Sequence, residues 1–480
     1  MRRSPLPWRD VAWLLAIAGV AVLTRAYGLV SRDLFTDEMA TLFVARTGQQ
    51  MFGPMYATAP INFILTRIAV RLVGADELGI RILPMLFGVA GVVVIFFTAS
   101  RWFNRRVGLF ASLVLALSMW HVSWSQAGRH FALQALLILL GIHWFVRYWK
   151  EPKWAHLSGS AVLLLAALFV HSSSGFYVVA VIGFLLIEYI RDRRSPADRH
   201  WDPAPYRRAL LSYGTILLLY LPIYVVVGRY LLEERTAWNP PWNIVGSFAF
   251  YLPPWLTLPA MAGAVILAGE RDRLWLLMVS LTAVPLMLLT AASAVTIASA
   301  AYCLSSIVAV AALAGVAADR LLERSARGLQ RTAAVLLIGG VFVSLSYDLA
   351  LYHTAYNRLR PRWHDVARYV AEHRAVEEQV WAEEGDVMQY YLGREGVDWL
   401  SRYVERPDSV QWDRRCSTGT WFVVHLTDSP ILQISTAFLR QLQAHARLAR
   451  LFPAHYGPKD RTLALFYLPC TPQPSGRLPR

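Results

Sequence analysis

The feature that most constrains this chain is a series of apolar runs, each close to the ~20 residues a helix needs to cross a bilayer. They fall at about 9–29, 80–99, 107–122, 131–147, 156–172, 175–190, 209–228, 248–269, 274–291, 302–318 and 332–351, which predicts about eleven transmembrane helices. Composition agrees: of 480 residues, 56% are hydrophobic and only 16% charged, whereas soluble domains carry ~25% charged residues. The 18 Trp, 21 Tyr and 21 Phe exclude disorder. Three Cys exclude a disulfide scaffold or a cysteine zinc cluster. A net charge of +15 would suit nucleic acid only if gathered on a soluble basic face, and no such partner is expected. The first run follows Arg2, Arg3 and Arg9 and has no small-residue cleavage site before Arg25, so it reads as an uncleaved anchor.

Basic residues in short loops set the orientation. With a cytoplasmic N-terminus, the inner segments 1–9, 100–106, 147–155, 191–208, 270–273 and 319–331 hold 21 Lys and Arg. The short outer loops near 123–130, 171–174, 229–247 and 292–301 hold three. The stretch Pro60–Val73 is apolar but only 14 residues long and contains Arg67 and Arg71, so it reads as an amphipathic helix on the outer interface. An odd number of spans then places the loop 30–79 and everything after about residue 352 outside the cytoplasmic membrane.

The tail 352–480 has 17 basic and 14 acidic residues and no spanning run. Helical spacing marks Trp363–His373, and Val380–Ala382, Trp421–Leu426 and Leu463–Leu468 read as strands. The expectation is a mostly α, polytopic membrane domain over 1–351 followed by a small extracytoplasmic α/β domain over 352–480. Cys416 and Cys470 both fall in that tail, where a disulfide can persist; spacing leaves their pairing open.

Acids are nearly absent from the spans, which counts against a transporter with a midplane ion site. Polar residues collect instead at the outer face. Asp37 and Glu38 follow the first span; adjacent residues point different ways on a helix or strand, which suggests separate tasks. The competing reading is that Thr36 caps a surface helix whose dipole both acids complement. Arg129 and His130 lie between the third and fourth spans. An arginine there can snorkel to headgroups or grip a phosphate through its planar fork. His171 opens a short polar turn, and Arg235 and Trp238 lie in the loop after the seventh span; an indole there can stack on a sugar or belong to an interfacial belt. Walker A, Rossmann, His-Glu-x-x-His and Gly-x-Ser-x-Gly signatures are absent from the sequence, as is an Asp-x-Asp pair.

The order of several short motifs resembles the GT-C glycosyltransferases, specifically bacterial relatives of protein O-mannosyltransferases and of lipid A aminoarabinose transferases. These are Asp37-Glu38, the proline-led Pro60-Ile61-Asn62-Phe63-Ile64-Leu65, Gly74 to Arg81, Ser125-Gln126-Ala127-Gly128-Arg129-His130-Phe131-Ala132-Leu133, and Arg362-Trp363 with Glu384-Gly385-Asp386 in the tail. The resemblance implies an inverting enzyme that moves a sugar from a polyprenyl-phosphate carrier to an acceptor lipid, glycan or protein outside the membrane. It implies Asp37 as base, Glu38 as its orienting or acceptor-binding neighbour, and Arg129 with His130 on the donor phosphate. Asn62, His171, Arg235, Trp238 and Tyr302 are candidate substrate contacts. No cofactor is demanded, and a divalent metal stays open. The chain departs from the family at Ala59, where a histidine or acid is usual, and at Ala301, where an arginine often precedes the tyrosine. A non-catalytic carrier-binding scaffold and, more weakly, a lipid or sugar transporter are the alternatives.

Overall fold

The computed structural model describes residues 8–49, 59–194, 202–233, 241–294, 298–325, 328–354, 360–393, 397–400, 418–426, 436–456 and 459–470. The chain divides into two compact units, Met1–Leu29 with Thr41–Ala350, and Val30–Ala40 with Leu351–Arg480. The segment 30–40, expected to belong with the membrane domain, thus groups with the tail.

In the first unit the helices are α1 (Trp8–Ala26), α2 (Thr36–Thr47, which starts in the other unit), α3 (Pro60–Val73), α4 (Glu77–Trp102), α5 (Arg105–Leu117), α6 (Met119–Ser125), α7 (Phe131–Lys150), α8 (Trp154–Val170), α9 (Gly175–Arg194), α10 (Ala204–Glu233), α11 (Pro241–Tyr251), α12 (Pro254–Gly269), α13 (Leu274–Ser293), α14 (Ser306–Arg324) and α15 (Gly328–Thr354). A helix or bent helix pair occupies each of the eleven apolar runs. By length and composition, six of the described helices are able to cross a membrane, or up to eight if each of two bent pairs is one span. The count of about eleven therefore exceeds what the helices alone establish, while a polytopic membrane fold stands.

Two runs expected as single helices are broken. Ser118 leaves the helical region (φ −63°, ψ 116°), and its side chain accepts from the His121 N–H at 3.4 Å, so α5 and α6 meet at 61°. Pro253 and Pro254 interrupt 248–269, because proline lacks the N–H and disfavours helix in the residue before it, and α11 and α12 meet at 88°. The run 302–318 opens as a 3₁₀ turn, Ala300–Cys303, before α14 begins.

Small residues set the helix spacing, as they do where apolar lipid supplies no driving force for helix association. The central α14 is buried from Ser306 to Val316, and a Cβ on Gly263 of α12 would lie 2.0 Å from the Leu313 carbonyl oxygen. Polar cross-links join helix ends that the charge alternation assigns to one side. Arg105 pairs with Asp10 at 3.1 Å, Asn104 donates to Asp319 at 2.6 Å, and Arg273 bridges Glu188 and Asp192 at 2.9 and 2.6 Å.

Entry to α4 depends on glycine. Asp76 caps the helix by accepting from the Gly79 N–H at 2.9 Å. Gly74 holds φ +142°, and a Cβ on Gly79 would sit 1.8 Å from the Gly74 carbonyl oxygen. Gly79→Ala is expected to sharply reduce the yield of monodisperse protein on size exclusion, with Gly183→Ala, whose Cβ meets open space, behaving as wild type.

The second unit is built on the sheet order β2-β1-β3-β7-β4, from β1 (Gln379–Ala382), β2 (Val397–Trp399), β3 (Thr420–His425), β4 (Arg447–Phe452) and β7 (Leu463–Leu468), with a separate hairpin of β5 (His455–Tyr456) and β6 (Lys459–Asp460). β1 runs parallel to β2 and β3, and β7 is antiparallel to β3 and β4. Side-chain alternation divides the core. Val380, Ala382, Val423 and Leu465 pack with Trp363, Val366 and Val370 of α16 (Trp363–His373) and Met388 of α17 (Gly385–Leu392). Trp381, Phe422, Val424, Ala464 and Phe466 pack with Phe438 and Leu442 of α18 (Thr436–His445). The expected helix and three strands of the tail are therefore all present. Cys416 lies outside the described residues, so its pairing with Cys470 rests on sequence alone.

Candidate active site

In the first unit, buried polar anchors hold the loop that carries Arg129. The Gln126 amide donates to the carbonyls of Thr24, Arg25 and Tyr27 at 3.3, 2.7 and 2.9 Å, satisfying groups that a helix C-terminus leaves open. Arg25, itself fully buried, donates to the Leu115 carbonyl at 2.9 Å and to His121 Nδ1 at 2.7 Å. Arg81 donates to the Leu29 carbonyl at 2.8 Å. Gly128 faces Ile80, whose Cδ1 would lie 2.7 Å from an added Cβ. The Gln and Arg of these motifs are thus structural clamps around the next residues in line.

Those residues form a cluster. The His130 ring stacks on His171 at 4.1 Å and 8°, and His171 lies 4.8 Å from the Tyr302 ring. Phe131 borders all three. His171 Nδ1 accepts from the Ser173 N–H at 3.2 Å, which leaves the proton of the neutral ring on Nε2. Gln134 donates to Ser173 and Ser174 at 2.9 and 3.0 Å and fixes the turn. His130 is buried with no partner at Nε2 among the described residues, and burial, then His171 and Arg129, hold it well below the usual imidazole range. Arg129, half-buried, has Nη1 3.4 Å from Thr41 Oγ1. Four expected site residues, Arg129, His130, His171 and Tyr302, are therefore neighbours. Asn62 is buried on α3, and its described hydrogen bond is the Thr66 hydroxyl on its own carbonyl. Arg235 and Trp238 lie outside the described residues. The departures Ala59 and Ala301 are both buried, Ala59 against Val44 and Phe63.

In the second unit the acid pair separates as the helix periodicity requires. The Phe35 carbonyl accepts the first helical bonds, from Glu38 at 2.8 Å and Met39 at 2.9 Å, so Thr36 lies within the first turn of α2 rather than capping it. Asp37 is exposed, whereas Glu38 is fully buried and paired with Arg360. Arg360 also donates to the Asp33 carbonyl at 3.1 Å and lies over the Phe35 ring at 4.7 Å. Glu38 therefore anchors the start of α2, and Arg360 is a partner that sequence reading missed; no local pattern joins residues 322 positions apart. Arg362, which the motif singled out, pairs with Asp365 at 2.7 Å instead.

The same unit holds a buried carboxylate–imidazole group, also unforeseen. Glu383 accepts from the His425 N–H at 2.8 Å and lies 3.1 Å from its Nδ1, with Glu384 3.9 Å from Nε2. Burial raises the Glu384 carboxyl above its usual range against the pull of His425. Among the described residues, no group of three or more His, Cys, Asp or Glu is arranged to hold a metal ion.

Asp33 is buried and accepts from the His364 N–H at 3.1 Å; burial outweighs that bond and pushes its pKa up to about 6. The folded state then binds more protons than the unfolded state between about pH 4 and 6, so this residue makes stability fall as pH rises through that window. Asp33→Asn is expected to flatten that part of the melting-temperature profile; an unchanged profile would refute the assignment.

Residues 57–200 match the family model described as dolichyl-phosphate-mannose-protein mannosyltransferase. No curated protein matches the chain. The fold is shared with GT-C membrane glycosyltransferases. ArnT from Cupriavidus metallidurans in the apo state matches with a TM-score of 0.58 at 14% identity, over 96% of this chain and 98% of that one. ArnT bound to undecaprenyl phosphate matches with a TM-score of 0.57 at 14% identity, over 95% and 98%. The apo oligosaccharyltransferase of Archaeoglobus fulgidus matches with a TM-score of 0.58 at 11% identity, over 87% of this chain and 69% of that one. The resemblance to GT-C glycosyltransferases is thus carried by the family model and by the fold together.

Proposed function

We propose that this chain is an inverting glycosyltransferase that moves a sugar from a polyprenyl-phosphate carrier to an acceptor hydroxyl. The observation that carries this reading is the cluster of Arg129 with His130, His171 and Tyr302, in a fold shared with ArnT, one structure of which holds undecaprenyl phosphate. In the proposed reaction, Asp37 takes the proton of the acceptor hydroxyl as its oxygen attacks the anomeric carbon. The bond from that carbon to the phosphate oxygen breaks, and its electron pair leaves with the lipid phosphate. Arg129 balances the charge that appears there. His130, neutral, offers a hydrogen bond rather than charge.

The same reading takes eleven spans, a cytoplasmic N-terminus, and the part after residue 351 outside the cytoplasmic membrane. Buried Ala59 and Ala301, where relatives often carry charge, favour the carrier-binding scaffold as the second reading. Membranes containing the chain, given labelled polyprenyl-phosphate sugars, separate the two. Label passing to an acceptor supports transfer; carrier binding with no label transferred supports the scaffold.

A further inference from the structure

In the second unit, a cavity of about 470 Å³ opens where the end of α16 meets the sheet, within the ~300–1,000 Å³ range of small-molecule sites. A cross-strand row forms its floor, with Tyr467 opposite both Trp421 on β3 and Arg447 on β4. Tyr369 and His373 of α16 form its wall, their rings stacked at 3.9 Å and 14°. Glu378 ties floor to wall. It accepts from the Tyr467 hydroxyl at 2.6 Å, from Trp421 Nε1 at 2.8 Å and from the Ala375 N–H at 3.0 Å. A Cβ on Gly419 would fall 2.4 Å from the Tyr467 hydroxyl, so glycine there leaves that ring its place.

This is a built arrangement of aromatic surface with a few fixed polar groups. A carboxylate has about four acceptor positions, and three on Glu378 are taken. His373 Nδ1 donates to the Tyr369 carbonyl at 2.8 Å, which leaves Nε2 as the ring nitrogen that can meet a ligand hydroxyl. Arg447 is exposed and supplies forked donors. Aromatic rings suit an apolar C–H face, and the mixed acceptors and donor suit hydroxyls, each of which both gives and takes a hydrogen bond. A free anion is disfavoured beside the Glu378 carboxylate.

We propose that this cavity binds a neutral pyranose residue of a glycan, as a recognition site separate from any transfer chemistry. The inference does not rest on the transfer reading, since none of these residues takes part in it. The test is saturation-transfer NMR on the full chain in nanodiscs with methyl α-mannopyranoside, methyl β-glucopyranoside, methyl N-acetyl-β-glucosaminide and, separately, inorganic phosphate. At least one glycoside is expected to bind saturably. His373→Ala and Arg447→Ala are expected to weaken it at least tenfold at unchanged melting temperature, and Arg129→Ala to leave it unaltered. Failure of every glycoside to bind, binding indifferent to both cavity variants, loss on Arg129→Ala, or phosphate binding that needs Arg447 would each overturn the proposal.

Discussion

Replacing Asp37 by Asn is expected to lower sugar transfer by about 10²–10⁴, the span a positioned general base contributes, with no loss of folded protein. The physical reason is exposure: Asp37 stands on the solvent-accessible side of the first turn of α2, where a carboxylate's interaction with the helix dipole is worth ~0.3–1 kcal/mol. The neighbouring substitution should do the reverse. Glu38→Gln breaks a fully buried pair with Arg360, a change that costs about 3–5 kcal/mol when one partner is lost, so it should depress the melting temperature first. Measuring turnover and melting on both variants separates the roles. Near-normal turnover in Asp37→Asn would leave this acid as no more than a charge at a helix start.

The second large effect is expected at Arg129. A charge-assisted contact with phosphate is worth about 1.5–3 kcal/mol, which corresponds to a ten- to hundredfold loss in donor use for Arg129→Ala, and more if the leaving group is also stabilised. Lys keeps the charge and loses the planar fork, so Arg129→Lys should retain part of the activity. Ala301 offers no second cation beside Tyr302, so neighbouring positions provide little compensation. Donor titrations in nanodiscs measure this directly. Unchanged donor dependence in Arg129→Ala would return the residue to a headgroup contact.

Much of the fold was legible because the apolar runs are long and the tail strands alternate cleanly. Helices stand at every predicted run, and Val380, Trp421 and Leu463 each fall in an expected strand. What escaped were features set by distant partners or weak patterns. β2 is only three residues, and β4, Arg447–Phe452, buries only its last residue, so neither shows a two-residue period. Pro253-Pro254 sits inside an otherwise unbroken apolar run, and hydropathy alone reads through the 88° bend.

The site was legible in part, for related reasons. Arg129, His130, His171 and Tyr302 were each visible as polar residues at helix ends, yet only the fold makes them neighbours. The pairing of Glu38 with Arg360, and of Glu383, just after β1, with His425 at the end of β3, joins positions with no shared local pattern. Gln126 and Arg81 belong to motifs singled out in the sequence, but their work is to hold carbonyls of α1 and the loop after it.

The proposed reaction is transfer from a phosphate-linked lipid carrier with inversion. Its most direct test uses the purified chain in nanodiscs with an isotopically labelled polyprenyl-phosphate sugar and an acceptor pool from its own membranes. Label in the acceptor and polyprenyl phosphate released should accumulate one for one over many turnovers, with the product anomeric centre opposite in configuration to the donor. Donor bound without release of polyprenyl phosphate, or a product that keeps the donor configuration, would contradict it.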